Sequence, residues 1–445
     1  MKRTPKATLL CLALVLAGSS SWSMDLLQAF EAAQQQDATL QAARAAAAAG
    51  RERLPQARSQ FMPAVSANLS TTRNQLTSTT PNFLGVEQTT KTNYPSSSQV
   101  LQLRQPIYRK QLAAQYRQAQ AQVNEADATL VQEEQNLAVR VSSAYFEAML
   151  TAEQLQLVLS QRAAYTSQLD AATKSFAAGS GIRTDIDEAQ ARLDMSTALE
   201  IEARQNITYT RQQLQAIVNQ PVDKLATLNV AKLALLNPEP NQLDDWTTRA
   251  EINNPQLQAL KAQVEAARQE IEKAKSGHHP TLDAVAQWSR NDSESVTNLQ
   301  SRYTNASISL QLSIPLFSGG YVSSQVRQAL AGLERAEATL EASRRDLGVR
   351  VFKEFRGMTE NIPKIKAMEQ AARSADQLVV SSRKSYQGGS RTVLDVLNAE
   401  QQRLVVQRDL AQARYVYLLS KVRLLALVGE ADLTAVAAVN TVLQN

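Results

Sequence analysis

The chain has 445 residues, of which 44% are hydrophobic and only 5% aromatic, with 47 Lys and Arg against 42 Asp and Glu. A net charge of +5 over this length offers no basic surface for nucleic acid, so no nucleic-acid partner is expected. Few aromatics among abundant Ala and Gln suit long packed helices better than one globular core, and a single cysteine, Cys11, excludes a disulfide framework.

Residues 1–23 read as a secretory signal peptide. Lys2, Arg3 and Lys6 form its charged start, and the apolar run Leu9 to Ala17 is too short to span a membrane. Cys11 lies inside it, so the mature chain is expected to carry no thiol and no lipid-bearing cysteine. No later stretch has the ~18 consecutive apolar residues of a spanning helix. If this chain enters a membrane, it does so as strands.

A first repeat covers residues 24–219. Met24 to Gln60 has the pattern of one helix, ended by Pro63. The period then changes from 3.6 to 2. Val65, Ala67 and Leu69 alternate with Ser66, Asn68 and Ser70, which predicts a strand at about 64–73. Asn74 to Pro95, rich in Thr, Asn and Ser, reads as a long exposed loop, and a second strand is expected at about 97–105. Arg109 to Ala178 contains neither Pro nor Gly. As one helix it would be on the order of 100 Å long. Its seam, Leu112, Tyr116, Ala119, Val123, Ala126 and Leu130, steps by four and three, the heptad pattern of a helix packed on a neighbour. A second long helix is expected over 184–219, and residues 220–245, with Pro221, Pro238 and Pro240, form a connector.

The pattern returns at a constant shift of 210 residues. Ala338-Thr339-Leu340 repeats Ala128-Thr129-Leu130, Lys384 repeats Lys174, and Gly389 repeats Gly179. The chain is therefore an internal duplication of a helix–strand–strand–helix–helix unit, its second copy covering 246–428. Strands are expected at about 281–290 and 304–314, separated by a loop over Asn291 to Tyr303, followed by long helices at 321–387 and 392–428 and a tail, 429–445.

In the last strand, Ala306, Ile308, Leu310, Leu312 and Ile314 face one way, and Asn305, Ser307, Ser309, Gln311 and Ser313 face the other. A half-buried soluble sheet shows this alternation too. So does a transmembrane barrel strand, and the signal segment favours that reading. Four strands cannot close a barrel, and open edges are not viable in lipid. Protomers must pool their strands, and a homotrimer would supply twelve. The fold class expected is mainly α with a transmembrane β-barrel, in contact with outer-membrane lipid.

Each pair of long helices is joined by a glycine turn, with Gly179 and Gly181 in the first and Gly388 and Gly389 in the second. Thr184-x-x-Asp187 and Thr392-x-x-Asp395 have the spacing of capping boxes. In a trimer, copies of Asp185, Glu188 and Asp395 would also form acidic rings of the kind cation-selective pores use, with Tyr386 and Arg391 placed to bond acids of the facing turn. Catalysis is not expected. His278 and His279 are the only histidines, and no phosphate loop, metalloprotease helix or nucleophile elbow is present. No cofactor and no metal site follow from the sequence.

Duplication, paired amphipathic strands, SIPLFSGG at Ser313 to Gly320 and SYQGGSRTVLDVLNAEQ at Ser385 to Gln401 resemble the TolC family of outer-membrane channel-tunnel proteins. The resemblance covers essentially the whole mature chain. It implies a trimer with a twelve-stranded outer-membrane barrel on a long α-helical periplasmic barrel. The connector and tail would form an equatorial belt, and the glycine turns a periplasmic aperture opened by an adaptor. It assigns Tyr386 and Arg391 as bonding Asp185 across the turns, and Asp395 as one of two aperture acids, with Asn398 standing where the second would be. Glu188, the first-repeat counterpart of Asn398, is the residue that would compensate. Within the family, Leu103 to Ala119 and Gly319 to Ala329 look most like the channels of type I secretion systems, which work with a periplasmic adaptor (membrane fusion protein) and an inner-membrane ABC transporter. The alternative is the channel of an RND-type multidrug efflux pump. More distant is a periplasmic coiled-coil adaptor or structural protein, which would lack the paired strands.

Overall fold

The computed structural model describes residues 23–293 and 301–444. Residues 1–22 of the expected signal segment, 294–300 of the expected loop and Asn445 of the tail lie outside the described residues. In chain order the elements are α1 (Leu26–Gln36), α2 (Ala38–Arg51), α3 (Arg53–Ser59), β1 (Ala64–Pro81), β2 (Glu87–Tyr108), α4 (Lys110–Ala177), α5 (Arg183–Val218) and β3 (Thr227–Leu228). Then come α6 (Leu243–Asn253), α7 (Pro255–Lys275), β4 (Thr281–Ser293), β5 (Ser301–Ser313), α8 (Tyr321–Thr359), α9 (Asn361–Gln387), α10 (Val393–Leu427), α11 (Leu433–Asn440) and β6 (Leu443–Gln444). Among the described residues no helix is long and apolar enough to cross a membrane. The chain divides into two compact units, one of Thr39–Glu134 with Asp244–Val351, the other of the remaining residues.

The first unit holds a four-stranded antiparallel sheet in the order β1-β2-β4-β5. The register sets Ala67, Leu101, Trp288 and Ala306 in one row and Val65, Leu103, Ala286 and Ile308 in the row beside it. One face of the sheet is therefore apolar, and in a single copy it is bare: Ile308 is 88% exposed and Leu310 70%. The other face carries hydroxyls and amides, and near its helix-proximal end a charge cluster. Asp283, 2% exposed, takes Arg104 Nη2 at 2.7 Å and a bidentate pair from Arg109, Nε at 2.8 Å and Nη2 at 2.6 Å. These bonds tie β2 and the start of α4 to β4, beside the register shift at Pro106 and Tyr108.

The expected loop Asn74–Pro95 is strand. β1 and β2 pair without interruption from Ala64↔Arg104 to Pro81↔Glu87, and β4 follows β2 as far as Ser96↔Ser293, the last residue described before 301. Beyond that row, among the described residues, β1 and β2 run on as a two-stranded ribbon. Thr is β-branched and suits extended backbone, and cross-strand bonds such as Thr79 to Thr89 at 2.9 Å and Asn74 Nδ2 to Ser96 Oγ at 2.9 Å hold the ribbon. At its tip Asn82 Oδ1 accepts from Leu84 N at 2.9 Å and Val86 N at 3.1 Å, and Gly85 takes the left-handed conformation, φ 76°.

Two further expectations are corrected by proline. Met24–Gln60 is three helices, not one, and 321–387 is two. Pro55 and Pro363 each lack the N–H that would bond the carbonyl four residues back, and their rings crowd it. Those carbonyls belong to Arg51 and Thr359, where α2 and α8 end. The break at Asp37 has another cause: its backbone is extended (φ −64°, ψ 118°) and its carboxylate accepts Arg140 Nη2 at 2.8 Å.

The second unit packs Leu137, Val141, Tyr145 and Phe146 of α4 with Leu214 and Val218 of α5 and Tyr415, Leu418 and Leu424 of α10, all buried. Phe146 bridges Tyr145 and Tyr415, with ring centroids 6.1 and 6.0 Å away. Connector and tail meet here, where β3 pairs with β6. The start of the described chain joins them: Met24 N donates to Lys224 O at 2.9 Å, Tyr145 donates to Met24 O at 2.9 Å, and Asn440 Oδ1 accepts from Leu26 N at 3.0 Å. Tyr417 grips the connector at Leu236, accepting from its N–H at 3.0 Å and donating to its carbonyl at 2.8 Å.

Small residues set the helix spacing in the sheet-bearing unit. A Cβ at Gly50 of α2 would lie 2.7 Å from the Ala126 Cβ on α4, a contact that only a backbone shift relieves. One at Gly348 of α8 would meet nothing within 4 Å. Alanine gains about 1 kcal/mol over glycine in a helix, while overpacking costs about 1–3 kcal/mol. Gly50→Ala is therefore expected to lower the thermal unfolding midpoint in detergent, and Gly348→Ala to raise it.

Candidate functional site

The two glycine turns share one backbone course. In the first, Gly179 N donates to Phe176 O and Ser180 N to Ser175 O, both at 3.0 Å; in the second, Gly389 N donates to Tyr386 O at 3.0 Å and Ser390 N to Ser385 O at 2.9 Å. Gly179 and Gly389 both have left-handed φ, 76° and 74°, which glycine adopts without strain. Gly181 has a different reason: a Cβ there would sit 2.9 Å from Phe176 N. Gly388 ends α9 as its cap, with its N–H on Lys384 O at 3.0 Å.

The helices leaving the turns start differently. Thr392 caps α10 in a full capping box: Asp395 N donates to Thr392 Oγ1 at 3.3 Å, and Thr392 N and Oγ1 donate to Asp395 Oδ2 at 2.9 and 2.8 Å. The expected Thr184–Asp187 box is absent. α5 is capped by Ile182, which has no side-chain acceptor, and Asp187 instead pairs with Arg183 at 3.2 Å. The shift of 210 residues sets Ile182 against Thr392 and Asp185 against Asp395. Asp185 thus holds the box position with no hydroxyl to serve, and among the described residues its carboxylate forms no hydrogen bond or ion pair.

Tyr386 packs partly buried against the cluster of Tyr165, Val393 and Leu397. Its phenol is raised above the usual tyrosine range, first by burial and then by the negative charge of Asp185, opposed by a hydrogen bond with Ser175. The structure thus brings Tyr386 near Asp185. Arg391 does not bond Asp185 in the protomer; its Nη1 donates to the buried Ser382 Oγ at 2.6 Å. Asp395 is held below the ordinary carboxylate range by its two bonds from Thr392, with Arg391 adding a smaller electrostatic effect. Glu188, Asp395 and Asn398 are exposed.

Sequence reasoning missed Arg192. From α5 it reaches two residues of α10, donating to Asn398 Oδ1 at 3.0 Å and Gln401 Oε1 at 2.5 Å. Asn398, already expected from the sequence in place of the family's second acid, is an amide held by a guanidinium. Only the spatial meeting of the two hairpins reveals it. Buried carboxylates stiffen both hairpins behind the turns. Glu200 takes Arg162 at 2.6 Å and Arg204 at 2.7 Å, and Glu400 takes Arg383 together with Arg403 at 2.8 Å. Among the described residues no group of acids, histidines or cysteines could hold a metal ion.

An engineered cap tests the asymmetry of the turns. With Asp185 already at the third helical position, Ile182→Thr should complete the box and stabilise the first turn of α5 by about 0.5–1 kcal/mol, read as slower amide exchange there. The Asp395 box has a pH signature. A folded-state pKa held down means its stabilisation is full above the ordinary aspartate range and is lost as pH falls through the folded value. Exchange at the start of α10 should therefore rise only in acid.

A family model described as outer membrane efflux protein matches residues 29–220 and 246–430. The chain is 32% identical over 419 residues to the proteases secretion protein PrtF of Dickeya chrysanthemi, covering 93% of this chain and 90% of that one. It is 32% identical over 431 residues to the alkaline protease secretion protein AprF of Pseudomonas aeruginosa, covering 96% and 89%, and 29% identical over 441 residues to the outer membrane protein TolC of Escherichia coli, covering 95% and 86%. Among solved structures, the outer membrane protein VceC of Vibrio cholerae superposes with a TM-score of 0.75 at 20% identity, covering 92% of this chain and 97% of that one. At that identity the superposition speaks for the fold alone.

Proposed function

The chain belongs to the outer membrane efflux protein family, whose members are outer-membrane channels working with partner transporters rather than enzymes, and from that premise we propose that three copies of it form the exit duct of a type I protein secretion system. The observation that carries the proposal is the sheet. Its apolar face is bare in one copy, and its outer strands β1 and β5 end in unpaired edges. A barrel in lipid tolerates no edge. Pairing β5 of one copy with β1 of the next closes the ring, and three copies give twelve strands. Substrate reaches this duct from an inner-membrane ABC transporter through a periplasmic adaptor. The 32% identity to two protease-secretion proteins, each over nine-tenths of this chain, supports protein as cargo over the drugs of an RND-type pump. Deleting the gene should remove specific proteins from the culture medium and leave drug sensitivity unchanged. Increased drug sensitivity with an unaltered medium would favour the RND-type reading.

The glycine turns form the periplasmic aperture. Capping and gating are compatible here, because the box that caps α10 also keeps Asp395 ionised and pointing to solvent. Tyr386 and Arg391 hold the second turn, Tyr386 close to Asp185 and Arg391 anchored on Ser382. Asp185, Glu188 and Asp395 supply the negative charge at the opening, and Asn398 with Arg192 moderates it. Tyr386→Phe with Arg391→Ser should raise single-channel conductance in planar bilayers severalfold, and Asp395→Ala should weaken cation preference. Unchanged conductance would reduce the turns to helix caps.

A further inference from the structure

The charges of the sheet are sorted by face. Apart from Arg104 and Asp283 in their cluster, the charged residues of the described strands are Arg73, Glu87, Lys91, Arg290, Asp292 and Arg302. By register, all six lie on the face that carries Val65, Leu69, Leu101, Trp288 and Ile308. They lie beyond the apolar rows, toward the hairpin ends. The row Ala67–Leu101–Trp288–Ala306 is followed by Leu69–Gln99–Arg290–Thr304, then by Thr71–Ser97–Asp292–Arg302, and then by Arg73 opposite Pro95.

Among the described residues of these rows cations are in excess, with Asp292 the one acid; it takes Arg302 at 2.6 Å and lies 3.7 Å from Arg290, whose Nε is buried with no hydrogen-bond acceptor. Arg73 forms no ion pair or side-chain hydrogen bond among the described residues. A cavity of about 400 Å³ opens beside Arg302 and Asp292, lined otherwise by Thr71, Pro95 and the hydroxyls of Ser96, Ser97, Ser293 and Ser301, which come from both faces of the sheet. Three guanidiniums to one carboxylate, set one to three rows beyond an apolar band, fit phosphate esters at a lipid–water boundary, since guanidinium matches phosphate geometry.

We propose that Arg73, Arg290 and Arg302 form a binding rim for the phosphate groups of outer-leaflet lipid headgroups, with the hydroxyl-lined cavity receiving the polar headgroup beside Arg302. The proposal rests on the closed barrel described above. In that ring Arg302, on edge strand β5, and Arg73, on edge strand β1, belong to adjacent copies, so the rim spans each junction. Bound anionic lipid would bridge two copies where their edges meet.

Trp288, one row inside the rim on the same face, reports on it directly. The chain has three tryptophans, so Trp22→Phe with Trp246→Phe leaves Trp288 as the single fluorophore. The full-length trimer in this background is reconstituted into vesicles of brominated phosphatidylcholine, brominated phosphatidic acid, or mixtures of the two. Both lipids are expected to quench Trp288, with phosphatidic acid preferred severalfold from mixtures and the preference removed by high salt. Arg73→Gln, Arg290→Gln and Arg302→Gln together should bring the preference close to one. Arg73→Gln alone breaks no bond among the described residues and should still reduce it. No preference in the parent protein, or a preference unchanged in both variants, overturns the rim. Quenching by neither lipid overturns the barrel itself, a separable result.

Discussion

The structure depends on two rows of backbone groups that one copy cannot satisfy. In the order β1-β2-β4-β5, the outer sides of β1 and β5 have no ladder partner. In water such edges are tolerable; in lipid each unpaired N–H or carbonyl costs several kcal/mol. The apolar face makes lipid the sheet's favourable surroundings, and the edges bar it from entering alone. Closure by identical copies, the assembly proposed above, meets both conditions.

The duplication explains why so much of the chain comes in pairs, and the departures from it show where the halves specialise. The turns keep the same backbone bonds and the same left-handed glycine, yet only α10 has a capped start. Ile182 leaves the first turn of α5 without side-chain acceptors, and Asp185 without an internal donor. An uncapped, exposed helix end opens at lower free energy than a capped one. The first turn is accordingly the looser half of the proposed aperture. Glu200 and Glu400, each between two arginines, tie the two helices of each hairpin together behind the turns.

The sequence was legible where one face of an element is apolar and the other is not. Val65, Ala67 and Leu69, or Ala306 to Leu312, reveal their strands because burial imposes the period of two. The same strands vanish from the pattern at Asn74 and Gln88, where both faces are polar, so a paired ribbon looks like loop composition. The proline breaks were written in Pro55 and Pro363 but masked by helical residues on either side. At the site, motif spacing favoured Thr184 and Asp187, while the repeat register pointed to Ile182 and Asp185; the register describes the backbone correctly. Arg192 left no local signal, since its partners Asn398 and Gln401 lie on another hairpin.

The sorting of charge by face bears on how such a duct passes protein. An exported chain carries both signs along its length, so a wall with fixed charge of one sign would hold some segments and repel others. The face opposite the apolar rows presents Ser66, Asn68, Gln102, Gln287, Ser307 and Ser309, and its charges near the helices, Arg104, Arg109 and Asp283, are joined to one another. Hydroxyls and amides exchange hydrogen bonds with any segment at little net gain over water. At physiological ionic strength a wall charge is felt over only about 8 Å, so fixed charge acts on cargo where the passage is narrow. If the glycine turns form the proposed aperture, their carboxylates, unlike the hydroxyl and amide wall of the sheet, are where selectivity by charge has physical leverage.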